Sequence, residues 1–356
     1  MRKSGRPLAE TGYSFLSRVL HRVALGSDAV AEASFDIDRK AFPADAAAVA
    51  EKRHIFVSGL ARAGTTILMR ELYATSAFRS LTYRDMPFVL APNLWGKITR
   101  SSHKDMAAAE RAHGDGILVD FDSPEALDEV FWRVHCGDQY IKDDRLKPMS
   151  ADADVRSDFR DYVAMMLRGH AAERYLSKNN NNILRLGSVL ASLPNAVAII
   201  PFREPLQHAY SLLRQHKSFL EQQATDRFAL SYMNWLAHHE FGQGHRPFGF
   251  GKAAEAGFQR PDDPASLAYW LFIWLDAYSY LQETAGDRCL FLSYEQLCAP
   301  ESSVWARLCE ALDLSAKAPE TPFKASRPDI PLDAPDDLQA ACDALYQDLS
   351  ARAFGA

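Results

Sequence analysis

The sequence predicts an α/β fold: a P-loop-like parallel β-sheet flanked by helices, with a helical insertion. Two segments carry this prediction. In residues 55–66, Ile-Phe-Val-Ser-Gly-Leu-Ala-Arg-Ala-Gly-Thr-Thr, an apolar strand runs into a loop with two glycines, and a helix follows over 65–77. Residues 196–202, Ala-Val-Ala-Ile-Ile-Pro-Phe, form a second apolar run before another helix. Uninterrupted apolar runs are typical of strands covered on both faces, and their alternation with helices favours a parallel sheet.

The loop after the first strand has the spacing of a phosphate-binding loop. Gly59 and Gly64 are five positions apart, and glycines at this spacing let consecutive N–H groups converge on an anion at the positive end of a helix. A kinase or ATPase places Lys directly after the second glycine to reach the outer phosphates. Here that position is Thr65, and the loop carries Arg62 instead. The loop therefore predicts a phosphate donor of a different shape from a nucleoside triphosphate.

The second strand ends in a residue that fits another anion. Arg203 follows the apolar run directly, and Ser211 lies eight residues later, about two turns into the next helix. A P-loop NTPase would place an acidic residue at such a strand end to hold Mg²⁺. The planar guanidinium of arginine binds phosphate through two parallel hydrogen bonds. The pattern predicts a second fixed anion site, to which Ser211 adds a hydroxyl donor.

With these motifs the chain resembles the sulfotransferase family. Residues 62–66, Arg-Ala-Gly-Thr-Thr, are similar to the 5′-phosphosulfate loop of that family, and 203–211 to its 3′-phosphate motif. Leu-Ser-Lys-Asn at 176–179 and Cys-Leu-Phe-Leu-Ser-Tyr-Glu-Gln-Leu at 289–297 agree as well. The resemblance covers roughly residues 54–310 and implies the sulfotransferase fold. The implied donor is 3′-phosphoadenosine 5′-phosphosulfate (PAPS), the product adenosine 3′,5′-bisphosphate, and no metal is required.

The resemblance also implies roles for single residues. Arg62 would lie over the 5′-phosphosulfate, Arg203 and Ser211 would bind the 3′-phosphate, and Lys178 would stabilise the bridging oxygen, unless it is a surface lysine before a turn. Tyr294 would pack near the nucleotide, although a turn tyrosine that caps the core fits equally well. The leaving 5′-phosphate would be held by the N–H groups and hydroxyls of Ala63, Gly64, Thr65 and Thr66. Some family members close the 3′-phosphate site where this chain has Lys324, Ser326 and Arg327.

The general base is where the chain departs from the family pattern. Tyrosylprotein-type enzymes use a Glu shortly before an Arg, and alignment on Arg84 puts Thr82 at that position. Asp85 is the nearest carboxylate, and an ion pair or helix cap is its alternative role. His113, in the sequence His-Gly-Asp that ends at Asp115, is the rival, because imidazole titrates near neutral pH. Both candidates stay open.

Composition excludes several classes of protein. The 356 residues carry a net charge of −6 and a pI of about 6.0, whereas a nucleic-acid-binding protein would carry a basic face. The five cysteines form no Cys-x-x-Cys pair, which suits a reducing, cytoplasmic location and disfavours zinc. The group His238-His239-Glu240 and His245 lacks His-Glu-x-x-His spacing and predicts a helix end and loop rather than a metal site.

The predicted organisation has three parts: an N-terminal helical arm (1–50), a catalytic domain (51–330) with an acceptor-side insertion (84–170), and a C-terminal helix (331–356). Residues 14–25 predict an amphipathic helix with a basic face. This helix packs either on protein or on an anionic membrane surface, which would make the protein membrane-peripheral.

Three functions are compatible with these patterns. The first is sulfuryl transfer from PAPS to an acceptor hydroxyl, on a carbohydrate or glycolipid. A P-loop small-molecule kinase is the second, although it would need the lysine and the acidic Mg²⁺ ligand that these motifs lack. The third is a non-catalytic nucleotide-binding protein of the same fold. The sequence does not name the acceptor or the oligomeric state.

Overall fold

The computed structural model confirms the α/β fold and its parallel sheet. It describes residues 15–99, 109–110, 118–119, 126–225, 227–315, 317–325, 328–330 and 333–355. The strands are β1 (Ile55–Val57), β2 (Phe78–Arg79), β3 (Ala109–Glu110), β4 (Leu118–Val119), β5 (Arg174–Lys178), β6 (Val197–Phe202) and β7 (Cys289–Ser293). The α-helices are α1 (Phe15–Gly26), α2 (Asp28–Ala41), α3 (Ala46–Ala50), α4 (Thr65–Ala74), α5 (Pro92–Thr99), α6 (Glu129–Tyr140), α7 (Ala153–Leu167), α8 (Leu186–Ser192), α9 (Pro205–Thr225), α10 (Arg227–Trp235), α11 (Lys252–Glu255), α12 (Leu267–Thr284), α13 (Tyr294–Cys298), α14 (Val304–Ala311) and α15 (Asp336–Ala351). Two 3₁₀ helices span Tyr83–Asp85 and Asn180–Leu184.

The sheet brings the predicted motifs to one edge. Its strand order is β2-β5-β1-β6-β7, and every pairing in it is parallel. Val57, the last residue of β1, pairs with Lys178 on one side and with Ile199 on the other. The carboxyl ends of these strands therefore lie together, and crevices at such an edge are where α/β sheets bind their ligands.

The apolar runs that predicted the strands are buried as expected. All three residues of β1 are inaccessible to solvent, and so are Ala198, Ile199 and Ile200 of β6. Helix α12 carries an aromatic stripe into the core, and its Trp270, Trp274 and Tyr278 are all buried. Its amino end is capped by the Ser266 hydroxyl, which accepts from a first-turn N–H.

The N-terminal helix is confirmed as α1 and packs on the rest of the chain. His21, Ala24 and Leu25 are buried, and the Arg18 guanidinium lies over the Phe228 ring of α10 at 5.0 Å. One face of α1 therefore packs on the rest of the chain, and a contact of its other face with a membrane stays a prediction. Within the described ranges, no helix combines the length and apolarity needed to cross a membrane.

Among its described residues, the insertion at 84–170 contains α5, α6 and α7, together with the antiparallel pair β3-β4. The predicted C-terminal helix is α15, which is shorter than 331–356. The domain boundaries near 50 and 330 stay predictions.

A buried group of charged side chains connects α6 to the end of β5. Arg185 pairs with Glu129, and both residues are almost entirely inaccessible to solvent. The carboxylate of Asp128 accepts from the Ser177 hydroxyl at 2.5 Å and from the Asn179 amide at 3.2 Å. Burial, with the nearby Glu129 carboxylate adding to it, raises the pKa of Asp128 to about 6 despite these hydrogen bonds.

Asn179 connects this network of charged side chains to the carboxyl edge of the sheet. Its amide nitrogen also donates to Glu129 at 2.7 Å, and its backbone N–H donates to the carbonyl of Val57. The Tyr140 hydroxyl donates to the same Glu129 carboxylate. The network therefore fixes the backbone directly after Lys178, which the sequence did not predict.

Loss of one buried charge should destabilise the fold far more than loss of an exposed one. Arg185→Met leaves Glu129 buried without its cation, so we expect the free energy of unfolding to fall by about 3–5 kcal/mol. The control is Lys52→Met, which removes the exposed pair with Glu173 and should cost at most about 1 kcal/mol. Urea denaturation measures both. Equal losses in the two variants would contradict the central position given to this network.

Candidate functional site

The loop between β1 and α4 requires glycine at its last position. Gly64 is the N-cap of α4 with φ 91°, in the left-handed region. A Cβ built on Gly64 would lie 2.4 Å from the ring of Tyr294. Backbone conformation and space therefore exclude any side chain. Arg62, in the same loop, is also left-handed with φ 69°, which an L-residue adopts only at a cost.

The amino end of α4 is available to an anion. Gly64 supplies no side-chain cap, and the first turn of a helix has N–H groups without intrahelical acceptors. The predicted donors Thr65 and Thr66 lie in that turn. Ala63, also predicted to bind the leaving phosphate, donates its N–H to the carbonyl of Leu60 at 3.3 Å. The helix dipole adds positive potential at this end.

The two predicted anion motifs meet in space. The Arg62 side chain donates from Nε to the Ser211 hydroxyl at 3.3 Å. The Arg203 guanidinium donates from Nη1 to the carbonyl of Arg62 at 3.1 Å and lies 5.5 Å from the centroid of the Tyr294 ring. Residues 149 positions apart in the chain thus share one polar site at the sheet edge.

The start of helix α9 is stabilised by the two residues that follow Arg203. The Glu204 carboxylate accepts from the N–H groups of Leu206 and Gln207 at 3.2 and 2.7 Å, and Pro205 occupies the first helical position, where its missing N–H costs nothing. Glu204 is therefore a cap of the helix that carries Ser211. This fixes the helix relative to the arginine.

His208 is a site residue that the sequence interpretation missed. Its Nε2 lies 2.7 Å from the carbonyl of Ala61 and donates to it, because a carbonyl can only accept. Burial, followed by the charges of Arg203 and Arg62, lowers the pKa of His208 to about 3, so the ring is neutral. The available signal was its place five residues after Arg203, on the helix that carries Ser211.

Tyr294 lies between the loop and Arg203. It begins α13, directly after β7, and is 9% exposed. Its hydroxyl donates to the carbonyl of Lys324 at 3.2 Å. The tyrosine therefore packs on the phosphate loop and also contacts the C-terminal segment. Ser326 and Arg327, predicted near the 3′-phosphate, lie outside the described residues.

Lys178 is not a surface lysine, which was its alternative interpretation. It is the last residue of β5, beside the end of β1, and it is 8% exposed. Burial of an ammonium group is costly. Because Lys178 pairs with Val57 at the carboxyl edge of the sheet, it lies next to the loop that connects β1 to α4. Its role in stabilising the bridging oxygen stays a prediction.

Asp85 is engaged on both carboxylate oxygens. One oxygen accepts from the Arg79 guanidinium at 2.6 Å, and the other accepts from the backbone N–H of Thr82 at 2.7 Å and from its hydroxyl at 3.2 Å. These are the ion pair and helix cap named as its alternative role. His113 and Asp115 lie outside the described residues. The general base among these candidates stays untested.

Within the part of the chain that the structure describes, no group of three or more His, Cys, Asp or Glu side chains is arranged to hold a metal ion.

Comparison with known proteins gives one family. The model of the sulfotransferase family matches residues 54–246, more than half of the chain. No curated protein matches the chain.

Three solved structures are similar in outline. Sulfotransferase STF1 from Mycobacterium tuberculosis is 16% identical, with coverage of 98% of this chain and 88% of that one and a TM-score of 0.45. Sulfotransferase STF9 from Mycobacterium avium is 14% identical, with coverage of 92% of this chain and 75% of that one and a TM-score of 0.47. A sulfotransferase from Alicyclobacillus acidocaldarius is 13% identical, with coverage of 85% of this chain and 94% of that one and a TM-score of 0.38.

The contact between Gly64 and Tyr294 can be tested against a matched glycine. Gly64→Ala introduces both a left-handed alanine and a clash, so we expect it to cost about 1–3 kcal/mol more than Gly169→Ala. Gly169 is also left-handed, with φ 74°, but nothing lies within 4 Å of its Cβ position, and its replacement should cost about 1–2 kcal/mol. Urea unfolding compares the two. If the losses are equal, the Tyr294 ring moves aside freely and does not shape the loop.

Proposed function

Because the chain belongs to the sulfotransferase family, we propose that it transfers the sulfuryl group of PAPS to an acceptor hydroxyl. One observation carries this proposal: Arg62, Arg203 and Ser211 converge beside the uncapped amino end of α4. Two anion-binding motifs at one sheet edge suit a donor with separate 5′ and 3′ phosphate groups.

The donor assignment follows from the charges of these residues. The amino end of α4 and the Arg62 guanidinium would hold the 5′-phosphosulfate, and Arg203 with Ser211 would hold the 3′-phosphate. PAPS supplies the activated sulfuryl group. The sulfate end of PAPS carries a single negative charge, so neither the lysine of a triphosphate loop nor an acidic Mg²⁺ ligand is needed. The buried Tyr294 ring would form the wall between the two phosphate sites.

Catalysis by this site would consist of positioning and electrostatic stabilisation. Negative charge builds on the leaving 5′-phosphate as the sulfur–oxygen bond breaks, and fixed donors aimed at that oxygen lower the barrier. Arg62, the first-turn N–H groups of α4 and the Lys178 ammonium are the candidates for this task. Neutral His208 holds the backbone of the loop through Ala61.

For the acceptor we propose a carbohydrate or glycolipid hydroxyl. A cavity of about 530 Å³ lies between α6 and the segment after α10. Its lining is dominated by charged and amide side chains, which suit a hydroxyl-rich molecule better than an apolar one. It includes Arg133, Asp138, Asn234, Gln243 and Arg246.

Cellular placement is part of the same proposal. The five cysteines are free thiols, which fits a reducing cytoplasm. Val19 and Val23 of α1 are 41% and 47% exposed beside the exposed Arg22. We propose that this face supports a peripheral contact with an anionic membrane.

Ligand-induced stabilisation separates the proposed function from its alternatives. We expect adenosine 3′,5′-bisphosphate to raise the melting temperature, because a ligand that binds only the folded state stabilises it, and Mg·ATP to leave it unchanged. The reverse result would favour a P-loop kinase. The acceptor is then sought with radiolabelled PAPS on cell-envelope extract, soluble metabolites and peptides in parallel. Binding of the bisphosphate without labelled product from any of these would favour a non-catalytic protein.

The two arginines should differ in kinetic effect. Arg203→Ala removes a charge-assisted phosphate contact and should weaken donor binding by roughly 2–4 kcal/mol. Arg62→Ala should lower turnover more than donor affinity, because its charge is needed where the transition state develops. Arg214→Ala, an exposed arginine on α9, is the control and should change neither value. An unchanged Michaelis constant for PAPS in Arg203→Ala would refute the 3′-phosphate assignment.

A further inference from the structure

The segment after α10 brings a carboxylate to the end of β5. The Asn180 side chain donates from Nδ2 to Oε1 of Glu240 at 3.0 Å. A second contact holds the backbone, since the Asn181 amide donates to the carbonyl of Ala237 at 3.1 Å. Asn180 is two residues beyond Lys178, so Glu240 lies beside the carboxyl end of β5.

The charges around Glu240 keep it ionised. Burial alone would raise the pKa of this half-buried carboxyl, but His238, the Asn180 amide and the Lys178 ammonium outweigh it, and the pKa lies below its ordinary value. His245 interacts with the same carboxylate. A carboxylate that is negative at neutral pH can accept a proton.

A polar atom beside Glu240 also lacks a partner. Asn180 is 6% exposed, and its Oδ1 has no hydrogen-bond partner among the described residues. A buried carbonyl oxygen without a hydrogen-bond donor is unfavourable. A hydroxyl-bearing molecule seated against Asn180 and Glu240 would supply the donor.

We propose that Glu240 is the general base that receives the proton of the acceptor hydroxyl, an assignment that rests on the proposed sulfuryl transfer. As the acceptor oxygen forms its bond to sulfur, its proton passes to the Glu240 carboxylate. The bond between sulfur and the 5′-phosphate oxygen breaks, and the electron pair stays on that oxygen, on the side of Lys178. Proton acceptance and charge stabilisation are thus placed on neighbouring residues of one edge.

Asp85 is less suited to this task by its contacts. Both of its oxygens already accept hydrogen bonds, one of them from Arg79 in an ion pair. Glu240 accepts one side-chain hydrogen bond, from a neutral amide. Glu240 therefore keeps lone pairs that are not used by hydrogen bonds, where the proton of an acceptor hydroxyl can bind.

Glu240→Gln tests the proposal, because glutamine can still accept from Asn180 but cannot take up a proton. Single-turnover transfer from radiolabelled PAPS to cell-envelope extract should slow by about 100-fold or more at pH 7. The thermal shift with adenosine 3′,5′-bisphosphate should stay unchanged. As the pH is raised, the transfer rate of the variant should rise in proportion to the hydroxide concentration, while the wild-type rate levels off.

The pH profile distinguishes a base from a structural carboxylate. The titratable groups around Glu240 are Lys178 of β5 and three histidines of the segment after α10, His238, His239 and His245. They are present in both proteins, so a hydroxide dependence seen only in the variant belongs to Glu240. A slow variant whose profile keeps the wild-type shape would overturn the proposal. So would a Glu240→Gln rate within about threefold of wild type.

Two further variants complete the test. Glu221→Gln, an exposed carboxylate on α9, should behave as wild type. Asn180→Ala frees Glu240 from its amide, and we expect about tenfold slower transfer with the wild-type pH profile, because the base is misplaced but present. If Asn180→Ala transfers at the full rate, the positioning of Glu240 is refuted. Absence of labelled product from the wild-type protein would instead refute the proposed function.

Discussion

The buried ion pair between Glu129 and Arg185 is the constraint on which the site depends. Two full charges inside the protein require each other and every available hydrogen bond. The Glu129 carboxylate also accepts hydrogen bonds from the hydroxyl of Tyr140 and the side-chain amide of Asn179. Asn179 in turn holds the end of β5 against β1. The position of Lys178 is thus determined by a charge network buried between α6 and β5.

The donor side is assembled from contacts between distant segments. Arg62 reaches Ser211, and Arg203 reaches the backbone of the Arg62 loop. Glu204 links to the end of β7 as well, since its N–H donates to Glu295, whose other oxygen accepts from Tyr346 in α15. The arginine that would bind the 3′-phosphate is therefore held between α9, α13 and the last helix. Such support is needed because electrostatic catalysis depends on donors that do not have to reorganise.

Local patterns predicted much of the fold and the two anion-binding motifs whose residues lie together in the structure. The apolar runs of β1 and β6 and the glycine spacing of the loop are encoded within about ten residues each. The network of Asp128, Glu129 and Arg185 was not predictable in this way. Charged residues in a sequence indicate a solvated surface by default, and only the packing of α6 under β5 makes them interior. Glu240 was taken for loop for the same reason: its partner Asn180 is 60 positions away.

The contact of Tyr294 with Gly64 bears on what the smallest working form of this protein can be. The segment matched by the family model stops at residue 246, whereas the ring that packs on the phosphate loop comes almost fifty residues later. A shortened chain that ended there would also lose β7, leaving the long side of β6 as an open edge that attracts other strands. Truncation to the matched segment would therefore remove the contact of Tyr294 with the loop and expose a strand edge that favours aggregation.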